Sequence, residues 1–171
     1  MALHIIIDGY NLIRNSSTLK ELDRLDLKQG RDALVDLLAA YKKIKAHRIT
    51  VVFDGMDAPV YASKREQVRG ITIRFSRAGE TADSVIKRMA AREREKALIV
   101  SSDREVVQAA EASHAATIGA ADFEFKLLLA DADGAPPPEN GSPHSLTTKK
   151  KGPSRRASRR ERRNRKKTLK L

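Results

Sequence analysis

The chain has 171 residues (19.0 kDa), with 34 Lys and Arg against 22 Asp and Glu, a formal net charge of +12. Thirteen of those bases and one of the acids lie in 149–171, which leaves 21 of each, and no net charge, in 1–148. A neutral body with a cationic tail excludes a uniformly basic, histone-like protein, and the absence of cysteine excludes disulfides, thiol catalysis, iron–sulfur clusters and Cys-type zinc sites.

The body reads as strands alternating with helices. Leu3–Ile7 is a β-branched run suited to a strand buried on both faces, ending in a turn at Asp8-Gly9. Gly30 to His47 carries Leu34, Leu37, Leu38, Tyr41 and Ile44 at helical spacing, and Ile49–Phe53 is a second buried strand stopped by Asp54-Gly55. Ile71–Phe75 alternates apolar and polar residues and reads as an edge strand. Thr81 to Lys96 is a helix with a narrow stripe of Val85, Ile86, Met89 and Ala90. Leu98–Val100 is a third buried strand, after which Ser102-x-x-Glu105 reads as a capping box over Val106, Val107 and Ala110. Ala115–Ile118 is a last strand, and Phe123, Leu127 and Leu128 belong to a closing helix. Such alternation predicts an α/β domain over 1–130, three layers around a parallel sheet.

Beyond residue 130 the composition changes: five of the six prolines and none of the seven aromatics fall there. Residues 131–148 therefore read as a Pro/Gly-rich linker and 149–171 as an Arg/Lys-rich tail, disordered or folded on RNA. No apolar run is long enough for a membrane span and the N-terminus lacks a signal-peptide pattern, so a soluble, cytoplasmic protein is expected.

In open parallel sheets functional groups gather outside the carboxyl ends of the strands, near the point where strand order reverses. Three of the buried strands end in an acid there: Asp8, Asp54 and Asp103. Glu80 and Asp83 open the helix that follows the 71–75 strand and belong on the same rim. Crowded carboxylates raise one another's pKa, and a cation removes that cost. Without His or Cys donors, the cluster favours a hard divalent ion, Mg²⁺ or Mn²⁺, one or two in number. Such an ion would polarise a phosphoryl oxygen and deliver an activated water.

Three of these acids also have a structural reading, and Asp8, which directly ends the most apolar strand, is the exception. Asp54 before Gly55 is a common turn, Asp83 sits where a helix dipole favours an acid, and Asp103 adjoins a capping serine. The joint pattern favours the metal site. Other chemistries lack their motifs: there is no G-x-x-x-x-G-K-[ST] loop, G-x-G-x-x-G turn or G-x-S-x-G elbow. His4, His47, His114 and His144 are scattered and read as surface or core residues.

Asp8-Gly9-Tyr10-Asn11, Val52-Phe53-Asp54-Gly55, Gly79-Glu80-Thr81-Ala82-Asp83 and Ser101-Ser102-Asp103, in that order over residues 2–130, resemble the YacP-like branch of the NYN-domain family, within the PIN-like nucleases. The resemblance implies a PIN-like fold with a parallel sheet of order 3-2-1-4-5 and metal-dependent endoribonuclease activity. It implies Asp8, Asp83 and Asp103 as catalytic, metal-binding acids, Glu80 as a fourth ligand and Asp54 as peripheral. Asn11 and Ser102 would position the site or the substrate phosphate.

Lys64, Arg65, Arg69, Arg74 and Arg77 supply positive charge between the second and third strands, and Arg74 and Arg77 are candidates for holding the RNA backbone beside the rim. In the tail, Lys149, Lys150, Lys151, Arg155, Arg156, Arg159, Arg160, Arg162, Arg163, Arg165, Lys166 and Lys167 would bind phosphate without sequence choice. The expected partners are RNA, messenger or ribosomal, and the ribosome. The expected function is a metal-dependent ribonuclease tethered by that tail. The alternatives are a non-catalytic RNA-binding or ribosome-associated factor with the same fold, and a nuclease for DNA.

Overall fold

The computed structural model describes residues 2–58, 64–133 and 158–171. Strand β1 (His4–Asp8) lies inside a six-stranded sheet, parallel to β2 (Arg48–Phe53) on one side and β5 (Ala97–Val100) on the other. Outward from β2 come β4 (Ile71–Phe75), parallel, and β3 (Arg65–Val68), antiparallel; outward from β5 comes β6 (Ala116–Ile118), parallel. The sheet order is β3-β4-β2-β1-β5-β6. Its five parallel strands keep the 3-2-1-4-5 order among themselves, with their carboxyl ends on one edge, but the antiparallel β3 makes the sheet mixed and six-stranded rather than the parallel five-stranded sheet expected.

The sixth strand corrects one expectation. Ile71–Phe75 is not an edge, because β3 folds back over it through Arg69 and Gly70, both at positive φ (49° and 80°), a turn whose twist suits a tight hairpin. Residues 65–68 carry Arg, Glu and Gln and are all exposed, so hydrophobic patterning gave no signal for them.

Side-chain alternation sorts the strands between two helical layers. Ile5, Ile7, Val51, Phe53, Leu98 and Val100 join a core with α1 (Gly9–Asn15), α2 (Ser17–Leu25), α3 (Leu27–Ile44) and α6 (Ala120–Asp133). Ile6, Val52 and Ile99 face the other layer, α4 (Ala82–Glu93) and α5 (Arg104–Ala112). By the same parity Asp8 points toward the layer where α4 and α5 begin. His4 shares this face, its Nε2 2.8 Å from Thr50 Oγ1 and its Nδ1 3.5 Å from Glu93.

Several boundaries differ from the sequence reading. Asp8-Gly9 is not a turn but the start of α1, with Asp8 as its N-cap. A Cβ on Gly9 would stand 2.3 Å from the Phe53 ring, so only glycine lets the helix leave the strand this closely. The expected Ser102–Glu105 capping box is absent. The cap is Asp103, whose Oδ1 accepts the N–H groups of Glu105 and Val106 (2.8 and 3.2 Å). Leu128 is exposed on α6, while Phe123 and Leu127 are buried as expected.

The tail holds the largest correction. Residues 134–157, which include most of the expected linker and Lys149–Arg156, lie outside the described residues. From Ser158 onward the tail is neither disordered nor awaiting RNA: it forms α7 (Arg159–Thr168), which packs along β6. Ser158 and Glu161, the tail's single acid, make a reciprocal capping box. The face at helical spacing meets the body: Arg160 pairs with Glu111 (2.7 Å), Arg163 with Glu95 (3.3 Å), and Lys167 donates to the Glu95 carbonyl. Past the helix, Leu171 is buried in the main core and its carbonyl accepts from the Tyr41 hydroxyl (3.3 Å). The acids that receive this helix are scattered through the sequence, so charge counting could not reveal the match.

Candidate active site at the carboxyl edge of the sheet

Strand order reverses between β1 and β5, and Asp8 stands at that point. It is 7 % exposed. Its Oδ1 accepts the Asn11 N–H (3.4 Å) and its Oδ2 accepts the Ser101 hydroxyl (3.2 Å). Burial pushes its carboxyl up to about 6, and the nearby charges of Asp83 and Asp103 push the same way, against the two hydrogen bonds. Asp83, in the first turn of α4, is also raised, by burial first and then by the charges of Asp103, Glu105 and Asp54. The fold thus brings Asp8, Asp83 and Asp103 together from three different elements.

Ser101 and Asn11 tie this rim into one piece. The Ser101 oxygen donates to Asp8 and accepts the Asp103 N–H (3.1 Å), linking two of the acids. Asn11 Oδ1 accepts the Ser102 N–H (2.8 Å), pinning the start of α1 to the end of β5. The Ser102 hydroxyl accepts the Ala120 N–H (3.0 Å) and so reaches the start of α6. Ser101 was overlooked in sequence, although it lies in the Ser101-Ser102-Asp103 motif. A serine one residue beyond a strand carries no mark of which neighbour it bonds.

Glu80 is engaged elsewhere. It accepts the Arg77 N–H (3.2 Å) and pairs with Arg88 (2.5 Å), and these contacts lower its pKa. Asp54 caps a short 3-10 turn over Gly55–Asp57 and lies near enough to Asp83 to influence it. A Cβ on Gly55 would stand 1.9 Å from the Ser76 carbonyl oxygen, which explains the glycine after Asp54.

Among the expected cations, Arg74 occupies the most suggestive position. The pairings Asp8–Val52 and Val52–Arg74 place it in the same cross-strand row and on the same face as Asp8, two strands away, about 10 Å. Arg65 pairs with Arg74 in register at this end of β3, and Arg77 is exposed just beyond β4. Arg69 lies at the opposite end of the sheet, where it pairs with Asp36 (2.5 Å). In the tail, Arg160, Arg163 and Lys167 are turned to the body, while Arg159, Arg165 and Lys166 are exposed.

The donors at the rim are oxygens only. Among the described residues no group of three or more His, Cys, Asp or Glu side chains is gathered closely enough to hold a metal ion. Oxygen donors by themselves fit a hard ion such as Mg²⁺, which takes one or two carboxylates and completes its shell with water and substrate phosphate.

Comparison with known proteins places this geometry in context. The model of the YacP-like NYN domain matches residues 5–169, which extends past the body and includes all of α7. The uncharacterized protein YacP of Bacillus subtilis (strain 168) is 31% identical over 86 residues, half of each chain. The aligned part of this chain thus spans about half the length of that curated relative. The crystal structure of Rae1 (YacP) from Bacillus subtilis superposes with a TM-score of 0.66 at 25% identity, over 78% of this chain and 77% of that one. The crystal structure of a point mutant of the same Bacillus subtilis protein gives 0.64 at 23% identity, over 77% and 78%.

Proposed function

The chain belongs to the YacP-like NYN domain family, whose fold is that of the PIN-like nucleases, and on that premise we propose that it is a metal-dependent endoribonuclease. The observation that carries this reading is the buried Asp8 carboxylate, set beside Asp83 and Asp103 at the point where strand order reverses. An isolated structural acid would not be buried next to two others, because each raises the cost of ionising its neighbour.

Asp8, Asp83 and Asp103 are the residues that would hold Mg²⁺ or Mn²⁺. When bound there, the ion supplies Lewis-acid polarisation of the scissile phosphate and lowers the pKa of water. The chain's own groups fix the geometry. Ser101 and the Asn11 N–H hold Asp8 in one orientation. The two amides at the head of α5 both bond Asp103 Oδ1, leaving its Oδ2 available. Arg74, in the Asp8 row, together with Arg65 and Arg77 offers guanidinium forks to the flanking phosphates. Glu80, already paired, is not assigned to the ion.

The exposed bases of α7, with the tail residues before it, would add non-specific attraction to RNA or to the ribosome. No helix among the described residues is long and apolar enough to cross a membrane, in keeping with a polyanionic substrate in water.

Full-length protein should be incubated with RNA and with single-stranded DNA, in Mn²⁺ or Mg²⁺ and in EDTA. Wild type is expected to cut RNA internally, only with the divalent ion. Asp8→Asn, Asp83→Asn and Asp103→Asn should each lower the rate by about a hundredfold or more, the scale of losing a central electrostatic group. Cleavage that survives the Asp8 and Asp103 substitutions would refute the assignment, and RNA binding without cleavage in any metal would leave a non-catalytic RNA-binding factor.

A further inference from the structure

Beside the acid rim a pocket of about 750 Å³ runs from Ser101 and Ser102 along the outer edge of β6. One wall is α5, with Arg104 and Gln108, and the other is α6, with Asp122, Phe125, Lys126 and Leu129; Thr168 of α7 lies at its margin. Its volume is in the range that accepts a small organic group.

Phe125 is the unexpected member. Tyr10, Tyr41, Phe53, Phe75 and Phe123 are all buried, whereas Phe125 is 62 % exposed. Its own helix has an inward face, carried by Phe123, Leu127 and Ala130, and Phe125 is not on it. A ring left open to water beside Arg104 and Lys126, in a pocket whose end residue Ser101 also holds Asp8, has the elements of single-stranded nucleic-acid recognition. These are an aromatic platform for a base and cations for its phosphates.

We propose that this pocket receives one unpaired nucleobase of the RNA strand, close to the scissile phosphate, stacked on Phe125. Arg104 and Lys126 meet the adjoining phosphates, and Asp122, Gln108 and Ser102 offer hydrogen bonds to the base edge. Continuity with the rim makes this a positioning subsite, since the stacked base fixes which phosphate faces Asp8. The inference rests on the RNA-cleaving reading for the class of its ligand, and its test does not depend on cleavage.

Binding of a labelled single-stranded RNA oligonucleotide to full-length protein is measured in EDTA at low salt, with intact RNA and with a series carrying one abasic position each. In wild type one position should stand out, its abasic form binding about 5- to 150-fold more weakly, the range of one base–aromatic stack. Phe125→Ala should lose a similar factor on intact RNA and become indifferent to that position; Phe125→Tyr should restore both. Because Phe125 is exposed, the thermal midpoint should not move. Intact RNA bound equally by wild type and Phe125→Ala, as expected if the pocket serves a protein partner, overturns the proposal. So does equal sensitivity of both to every abasic position, or no RNA binding at all. Coupling between Phe125 and one base in a protein that never cleaves would uphold the subsite and sink the nuclease reading; cleavage without such coupling would do the reverse.

Discussion

Replacing Asp8 by Asn should slow cleavage by about a hundredfold or more and yet stabilise the protein at neutral pH. In the folded chain the Asp8 carboxyl titrates near 6 rather than 3.8, chiefly because it is buried, with Asp83 and Asp103 adding to the effect. The folded state therefore holds the proton more tightly than the unfolded one. The contribution to stability is full below about pH 4 and is lost as pH rises through about 6. That difference corresponds to about 3 kcal/mol between acid and neutral pH. Asparagine escapes the loss and retains an oxygen for the Asn11 N–H, but its amide must be accommodated by Ser101. A net gain of about 1–3 kcal/mol at pH 8 is expected, or roughly 2–12 °C in midpoint for a domain of this size. Thermal unfolding of both proteins from pH 4 to pH 8, in EDTA, reads it directly. The gap between them should open with rising pH. Adding Mg²⁺ or Mn²⁺ should then raise the wild-type midpoint, because an ion that binds only the folded state stabilises it, and leave the variant where it was. A midpoint difference that stays constant across this pH range, or an equal response of both proteins to the ion, would refute the reasoning.

Two further substitutions probe what holds the rim and the tail. Gly55→Ala forces a methyl to within 1.9 Å of the Ser76 carbonyl and should cost about 1–3 kcal/mol, seen as a lowered denaturation midpoint, with Gly79→Ala, whose Cβ meets nothing, as a contrast limited to its positive φ. Leu171→Ala removes a 7 %-exposed side chain from the core and should destabilise the chain by about 1.5–3 kcal/mol in chemical denaturation, an outcome a free tail would not give.

The tail shows where sequence reading reaches and where it stops. Its charge, its isolation from aromatics and its Ser158-x-x-Glu161 cap are all local facts. Its docking depends on Glu95, Glu111 and Thr117, which are near one another only because a 3-10 turn, a helix and a strand meet at the β6 edge. A count that assigns every base to RNA misses that one face of the helix is spent on the body. Glu80 makes a similar point at the rim: the resemblance implies a ligand there, and only the folded chain shows its carboxylate bonded to the Arg77 N–H and paired with Arg88.

What the sequence by itself determined is the set of local, periodic properties. Apolar runs define the strands, and the acids at their ends define a rim. What only the tertiary structure decided is which of those groups share space: Asp8 with Asp83, Asp103 and Ser101, Arg74 in the Asp8 row, Phe125 open beside them. Periodicity is fixed by backbone geometry a few residues at a time, whereas burial, hydrogen bonding and pKa depend on contacts between distant residues, as Asp83 and Ser101 are from Asp8, 75 and 93 positions away, and those form only when the sheet is assembled.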